Sequence, residues 1–162
     1  MPAIVRLPSH ALTRLALRLA VVLALLVGAL LPLSMSTSNA NAATLTARAK
    51  AAIIAPHYLG VPYKWGGTTP AGFDCSGYTQ YVYHESGKSL PRTAAEQYAY
   101  GVWHISKSRM KPGDLVFFVS NGYIYHVGVY AGNNQIWHAP APGQHVRLQT
   151  LWTTSWVGGL VK

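Results

Sequence analysis

The stretch PGDLVFFVSNGYIYHVGVYAGNNQIWH, residues 112–138, consists of short apolar runs separated by glycine, asparagine and proline. Such runs between turn residues are typical of β-strands. The strands predicted here are Leu115 to Val119, Tyr125 to Tyr130 and Gln135 to His138, and two more are expected at Val146 to Leu148 and Trp156 to Val161. The C-terminal part of the chain is therefore predicted to form one antiparallel sheet.

The residues before this stretch predict helices, at 44–58, 75–83 and 93–100. In the first, alanine, leucine and isoleucine recur at helical spacing, and the third begins with a Thr-x-x-Glu capping box. A loop rich in glycine and aromatic residues, 60–74, separates the first two helices. Helices followed by short antiparallel strands favour an α+β fold, with the N-terminal helices packed on the C-terminal sheet.

Residues 1–42 have the pattern of a secretory signal peptide. Three arginines and no acidic residue precede the apolar and glycine residues 19–31, and residues 40–42, Ala-Asn-Ala, offer a small-x-small cleavage site. The apolar segment is shorter than the roughly 20 residues that a membrane-spanning helix needs. We therefore predict a signal peptide at 1–42 and one mature domain at 43–162, secreted to the extracellular space or periplasm without a stable membrane anchor. A retained signal anchor is the alternative.

The predicted mature domain is basic. Its formal charge is +6, because the three arginines of residues 1–42 contribute to the +9 of the whole chain. This excess favours association with a polyanionic surface such as a cell wall, which salt would weaken, although a solubilising surface is the simpler interpretation. The lysines and arginines are scattered and form no basic run, which argues against nucleic acid as a partner.

Cys75 is the one cysteine of the chain, so it cannot form an internal disulfide. The predicted second helix begins at Cys75 or Ser76, directly after the glycine-rich loop. A helix N-terminus lowers the pKa of a thiol, and its free backbone N–H groups can bind the oxyanion of a tetrahedral intermediate. A nucleophilic cysteine is therefore one interpretation, and an inert buried thiol on the inner face of the helix is the other.

Two of the seven histidines lie on predicted neighbouring strands. His126 begins one strand and His138 ends the next, across the turn at residues 132–134. In an antiparallel hairpin such positions lie side by side, so the two imidazoles can touch. A thiol nucleophile needs a base and a group that orients the base, and His126 and His138 suit these roles, although each alone would be interpreted as a half-buried structural histidine. Surface or loop positions are expected for His57, His84, His104 and His145.

Six short motifs follow one another along the chain. They are VPYKWGG at 61–67, FDCSG at 73–77, LPRT at 90–93 with Gln97, PGDLVFF at 112–118, HVGVY at 126–130 and HAP at 138–140. In this order they resemble the NlpC-type (NlpC/p60-like) cell-wall cysteine peptidases, over nearly all of residues 44–162. The resemblance implies a papain-like fold and hydrolysis of peptidoglycan stem peptides, typically at the bond between γ-D-glutamyl and a diamino acid.

The resemblance also implies a Cys-His-His triad. Matched position by position, Cys75 is the nucleophile, His126 the base and His138 the third polar residue. Peptidoglycan or its muropeptide fragments are the expected partner. No cofactor or metal is expected, and the mature protein is expected to be a monomer.

Four further positions match oxyanion or substrate-binding residues of the family. Tyr63 matches a loop tyrosine whose hydroxyl borders the oxyanion site, and a packing aromatic is its alternative. Asp74 and Ser76 match positions that in some members bind the free amine of the stem, although Asp74 could instead cap the helix. Arg92 could bind a substrate carboxylate, although a solvent-exposed arginine is more common.

Three other functions are compatible with parts of this pattern. A zinc hydrolase could use one cysteine and two histidines as ligands, but no known zinc signature has this spacing and no general-base glutamate is nearby. A catalytically silent wall-binding module could keep the fold, which the intact Cys-His-His set argues against. An amidase or acyltransferase of the same superfamily would act on another amide.

Overall fold

Three α-helices precede the large sheet in the computed structural model, which describes residues 45–162. They are α1 (Ala47–Ile54), which continues as a 3₁₀ turn at Ala55–Tyr58, α2 (Cys75–Glu85), and α3 (Ala94–Glu96), which continues as a π-helical turn at Gln97–Gly101. Each begins after a residue whose side-chain oxygen accepts a backbone N–H bond, namely Thr46, Asp74 and Thr93. None of the helices in this range has the length and apolar character needed to cross a membrane. The signal peptide predicted at 1–42 lies outside the described residues.

The strands form two sheets. Within the loop before α2, β1 (Thr68–Thr69) pairs with β2 (Gly72–Phe73). The strands of the large sheet are β3 (Val102–Ile105), β4 (Leu115–Ser120), β5 (Tyr123–Gly132), β6 (Gln135–His138), β7 (Arg147–Thr150) and β8 (Trp156–Val161). They are all antiparallel, in the order β3-β8-β4-β5-β6-β7. The prediction of an α+β fold with N-terminal helices and one C-terminal antiparallel sheet is confirmed.

No strand was predicted at β3, the edge strand of the sheet. It has four residues, and of these only Val102 is buried, while Trp103 and His104 are both exposed. The alternation that marks a half-buried strand is therefore absent, and β3 is held by its pairing with β8. Strand β7 begins one residue later than predicted, because Val146 bonds instead to the loop before α2, through its N–H to the carbonyl of Val61 at 2.8 Å.

Two buried tyrosines fix helix α2 against its neighbours. Tyr78 and Tyr83 are fully buried in the core between the helices and β5. Tyr78 donates its hydroxyl proton to the carbonyl of Ala55 at 2.9 Å, and Tyr83 donates to the carbonyl of Gly113 at 2.6 Å. A buried tyrosine hydroxyl needs such a partner, so both rings have a defined position. The N-terminus of α2 is thereby held at a set distance from the sheet.

The glycine-rich loop touches the first turn of α2 at Gly77. A Cβ at Gly77 would lie 2.0 Å from the carbonyl oxygen of Gly67, which is closer than side chains approach. The same carbonyl accepts the N–H of Asp74 at 3.0 Å, one residue before Cys75. The absence of a side chain at Gly77 therefore lets the loop and the helix N-terminus pack directly together.

Gly77→Ala is expected to lower the free energy of unfolding by about 3 kcal/mol, because the new methyl group must displace the backbone at Gly67. This loss exceeds the gain of about 1 kcal/mol from the helix propensity of alanine. Urea denaturation measures the change. His84→Ala, at an exposed position of the same helix, is the control and should shift stability by less than about 0.5 kcal/mol. Wild-type stability of Gly77→Ala would contradict the close contact.

Candidate active site

The structure brings Cys75, His126 and His138 to one cavity of about 290 Å³. Cys75 is the first residue of α2, His126 lies in β5, and His138 is the last residue of β6. Helix α2 packs on β5, so the helix N-terminus faces the strand that carries His126. Residues that are distant in sequence therefore share one concave surface, as the hairpin and the helix start predict.

The two imidazoles are in direct contact. Nε2 of His126 lies 2.8 Å from Nδ1 of His138, and the ring planes are nearly perpendicular, at 85°. Gly128 makes this possible, because a Cβ there would lie only 3.1 Å from Cβ of His138. His126 lies two residues before Gly128, on the same face of β5, so it is the diagonal neighbour of His138. The predicted contact across the hairpin is thus present.

Trp152 covers the histidine pair, and no sequence motif indicated it. Its ring stacks on Phe118 with centroids 4.1 Å apart and lies 5.5 Å from the ring of His138. Trp152 follows β7 in a loop, so its approach to β4 and β6 depends on the tertiary fold. With this cover, His126 is 7% and His138 is 1% exposed, and both side chains are largely shielded from water.

Burial makes both histidines weak bases. It lowers the pKa of His126 to about 3, and the neighbouring His138 acts in the same direction. Burial also lowers the pKa of His138 to about 4, with a hydrogen bond to Gln149 opposing the shift and the charge of Arg147 adding to it. Both rings are therefore neutral at pH 7, the state in which an imidazole nitrogen can accept a proton.

Burial also dominates the environment of the thiol. It raises the pKa of Cys75, and the charge of Asp74 raises it further, whereas hydrogen bonds from the backbone N–H groups of Val127, Ser76 and Cys75 lower it. The expectation that the helix N-terminus leaves the thiol with a lowered pKa is therefore wrong, because desolvation exceeds the effect of the N–H groups. The site therefore combines a thiol whose pKa is raised with an imidazole that is neutral at pH 7.

A second cavity, of about 400 Å³, also borders Cys75 and is lined by Tyr63, Asp74, Ser76 and Arg92. Tyr63 is half-buried and also lines the first cavity, so it borders both. Burial raises the pKa of Tyr63, and the charge of Cys75 adds to the shift. The structure thus groups all four predicted oxyanion and substrate-binding residues around the thiol.

Both carboxylate oxygens of Asp74 already accept hydrogen bonds within the protein. Its Oδ1 accepts from the N–H of Gly77 at 2.7 Å, from Arg92 Nη1 at 3.1 Å and from the Ser76 hydroxyl at 3.3 Å. Its Oδ2 accepts from the N–H of Gly66 at 3.0 Å and from Arg92 Nη2. Burial raises the pKa of Asp74, but these hydrogen bonds and the Arg92 charge outweigh it, so the pKa lies below its usual value. Asp74 therefore caps α2 and positions Arg92.

Gln97, which accompanies the LPRT motif, has a structural role. It is fully buried, and its Nε2 donates to the carbonyls of Ser76 and Pro91, both at 2.9 Å. Its Oε1 accepts from the Thr79 hydroxyl at 2.8 Å. Gln97 therefore ties α3 to the first turn of α2, which supports the position of the Arg92 loop.

The other histidines of residues 45–162 lie away from this site. His57, His84, His104 and His145 are exposed, as expected. His104 lies on β3, where it stacks on Tyr98 with centroids 4.1 Å apart. Between residues 45 and 162, no group of three histidine, cysteine or acidic side chains is arranged to hold a metal ion.

The sequence pattern of the NlpC/P60 family matches residues 60–162. The chain is 53% identical over 89 residues to a protein named probable endopeptidase p60 from Listeria monocytogenes, covering 55% of this chain and 18% of that protein. It is 40% identical over 100 residues to the γ-D-glutamyl-L-lysine dipeptidyl-peptidase of Bacillus subtilis, covering 60% of this chain and 33% of that protein. The chain therefore spans a third or less of the length of these relatives.

A crystal structure of the NlpC/p60 domain of the peptidoglycan hydrolase SagA has a similar fold. The TM-score is 0.63 and the identity 38%, and the match covers 71% of this chain and 98% of the SagA domain. A Bacillus cereus structure of the same family matches with a TM-score of 0.64 and 32% identity, over 69% of this chain and 39% of that one. These neighbours confirm the predicted papain-like α+β fold.

Proposed function

Because the chain belongs to the NlpC/P60 family, we propose that it is a cysteine peptidase that hydrolyses the peptide stems of peptidoglycan, with Cys75 as the nucleophile. One observation carries this proposal: Cys75 opens onto the same cavity as the hydrogen-bonded pair of His126 and His138. A nucleophile, a base and a group that orients the base are the parts that acyl transfer by a thiol requires.

Proton transfer accompanies the attack in the proposed mechanism. Burial raises the pKa of Cys75 and leaves the imidazole neutral, so Nδ1 of His126 takes the thiol proton as Sγ of Cys75 bonds to the scissile carbonyl carbon. His138 holds the ring of His126 through Nε2 and stabilises the imidazolium that forms. The backbone N–H groups at the start of α2 and the Tyr63 hydroxyl bind the oxyanion.

Collapse of the tetrahedral intermediate breaks the carbon–nitrogen bond. The departing amine takes the proton from Nδ1 of His126, and a thioester between Cys75 and the acyl part of the stem remains. Water then attacks the thioester, with His126 again acting as the base and returning its proton to the Sγ that leaves. The products are a free carboxylate, a free amine and the original thiol.

We propose the bond between γ-D-glutamyl and the diamino acid as the cleavage site. The Bacillus subtilis relative is named for a γ-D-glutamyl-L-lysine bond. Arg92 has a side chain 37% exposed in the cavity beside Cys75, where it can bind a substrate carboxylate. Contact of a stem amine with Asp74 or Ser76 stays a prediction, and it would require Asp74 to share oxygens that already accept from Arg92 and Gly77.

The place of action follows from the predicted signal. We propose that residues 1–42 are removed on export and that residues 43–162 act as a secreted monomer at the cell wall, where a charge of +6 favours anionic polymers. N-terminal sequencing of the exported protein checks this proposal, and a first residue upstream of the apolar segment 19–31 would contradict cleavage.

Digestion of purified peptidoglycan, followed by mass spectrometry of the fragments, tests the function. We expect fragments that end in a γ-D-glutamyl carboxylate and matching fragments with a new diamino acid amine. Iodoacetamide should abolish their formation, whereas chelators should not, since the proposed nucleophile is a thiol. Release of whole stems would instead indicate an amidase, inhibition by chelators a zinc hydrolase, and no fragments at all a silent wall-binding module.

A further inference from the structure

A chain of hydrogen bonds continues from the histidine pair to the surface of the sheet. Nε2 of His138 lies 3.1 Å from Oε1 of Gln149, and Nε of Arg147 donates to the same oxygen at 2.9 Å. Arg147 and Gln149 both lie on β7. Arg147 pairs with His138 across the strands, and Gln149 is the diagonal neighbour of His138. Neither residue belongs to any of the sequence motifs.

The protonation of Arg147 fixes the direction of each hydrogen bond in this series. Arg147 always carries a proton on Nε, so the atom that it contacts must be the amide oxygen of Gln149 and not the amide nitrogen. That oxygen can only accept, so Nε2 of His138 must carry a proton and donate. A neutral imidazole has one N–H, which leaves Nδ1 of His138 as an acceptor.

The position of the proton on His126 follows from that on His138. Because Nδ1 of His138 accepts, Nε2 of His126 must donate across the 2.8 Å contact. The one proton of the neutral His126 ring is then on Nε2, and its Nδ1 keeps a free lone pair. This is the nitrogen that the proposed mechanism uses as the base.

The two histidine rings, considered without Gln149, could also form their hydrogen bond in the opposite direction. With the proton of His138 on Nδ1, His138 would donate to His126, and His126 would carry its proton on Nδ1, where it could not accept one from Cys75. Both rings are largely buried, with Trp152 and Phe118 packed against them, and Gln149 is the hydrogen-bond partner of His138 on its other nitrogen. The acceptor bonded to Nε2 of His138, Oε1 of Gln149, therefore determines which of the two proton arrangements forms.

We infer that Gln149 and Arg147 are positioning residues that set the tautomer of the histidine pair. Gln149 supplies the acceptor that holds the proton of His138 on Nε2, and Arg147 orients the amide so that its oxygen faces the ring. The inference rests on the proposed function, since the free lone pair on Nδ1 matters only if His126 acts as a base.

Kinetics of paired variants test these two roles. Gln149→Leu removes the acceptor and should lower kcat by about 10-fold to 100-fold, because the proton of His138 is no longer held on Nε2. Gln149→Glu keeps an acceptor and should retain most of kcat. Thr150→Ala, at an exposed position of the same strand, is the matched control and should behave as wild type. Equal losses in the Leu and Glu variants would indicate a merely structural role.

Arg147 has a more specific test. Arg147→Met frees the amide to rotate and should lower kcat by about 3-fold to 10-fold, because a rotated amide offers His138 a donor. A carboxylate has two equivalent oxygens and needs no orientation. Adding Arg147→Met to Gln149→Glu should therefore lower kcat little further. The same loss in both backgrounds would overturn the orienting role of Arg147.

Nitrogen NMR of the histidine rings separates this inference from the proposed function. In a Cys75→Ala variant without substrate, we expect the N–H of both His126 and His138 on Nε2, and Gln149→Leu in that background should shift protons to Nδ1. If both rings show these tautomers but the wild type has no peptidase activity, the result contradicts the proposed function and leaves the inference about the tautomers intact. Wild-type tautomers and full kcat in Gln149 variants that remain folded would overturn the inference while leaving the peptidase intact.

Discussion

Cys75→Ala is expected to lower kcat/KM for cleavage of stem peptides by at least about 10³-fold, because the thiol is the proposed nucleophile that forms the acyl intermediate. Cys75 is the one thiol of the chain and the first residue of α2, between the cavity with the histidines and the cavity with Arg92. Liquid chromatography of the fragments released from labelled peptidoglycan measures the rate.

The stability of the same variant provides the control. Loss of one partly buried sulfur atom should change the free energy of unfolding by about 1 kcal/mol or less, so Cys75→Ala should remain folded. Cys75→Ser keeps the size of the side chain but presents a hydroxyl, a poorer nucleophile, and should also lose most activity. Ser89→Ala, at an exposed position, should cleave normally. Wild-type rates from Cys75→Ala would remove the thiol from the mechanism.

Acidification from pH 7 to pH 5 is expected to lower the free energy of unfolding by about 4 kcal/mol, about 2 kcal/mol for each histidine of the pair. The folded pKa values of His126 and His138, about 3 and about 4, lie below the ordinary value of 6.5 that they regain on unfolding. Between these values the unfolded chain binds protons that the folded protein does not. The stabilisation is therefore present above pH 6.5 and is lost as the pH falls below it.

Urea denaturation at pH 7 and pH 5 measures the effect, and two matched variants isolate it. In His126→Gln/His138→Gln most of the difference between the two pH values should disappear, whereas His57→Gln/His84→Gln replaces two exposed histidines and should keep it. Hydrogen bonds and the Arg92 charge outweigh burial and lower the pKa of Asp74, whereas burial raises the pKa of Asp114, which opposes the loss. Equal stability of the wild type at both pH values would refute the buried, neutral pair.

Local sequence signals identified the elements that carry the site. The N-cap at Asp74 and the glycines around it define the start of α2, and so the place of Cys75. The Gly-Asn-Asn turn and its flanking apolar runs define the β5–β6 hairpin, and so the contact of His126 with His138. Caps and turns act through hydrogen bonds between residues a few positions apart, which is why a sequence can be interpreted this far.

By itself, the sequence determined the α+β order of elements, the helix that begins at Cys75 and the hairpin that pairs the two histidines. Only the tertiary structure decided the edge strand β3, the cover of Trp152 over the histidines, the engagement of Asp74 by Arg92, and the hydrogen bonds of Gln149 and Arg147. It also decided that the pKa of the thiol is raised and that of each imidazole lowered, because burial depends on what packs around a group and not on its neighbours in the chain.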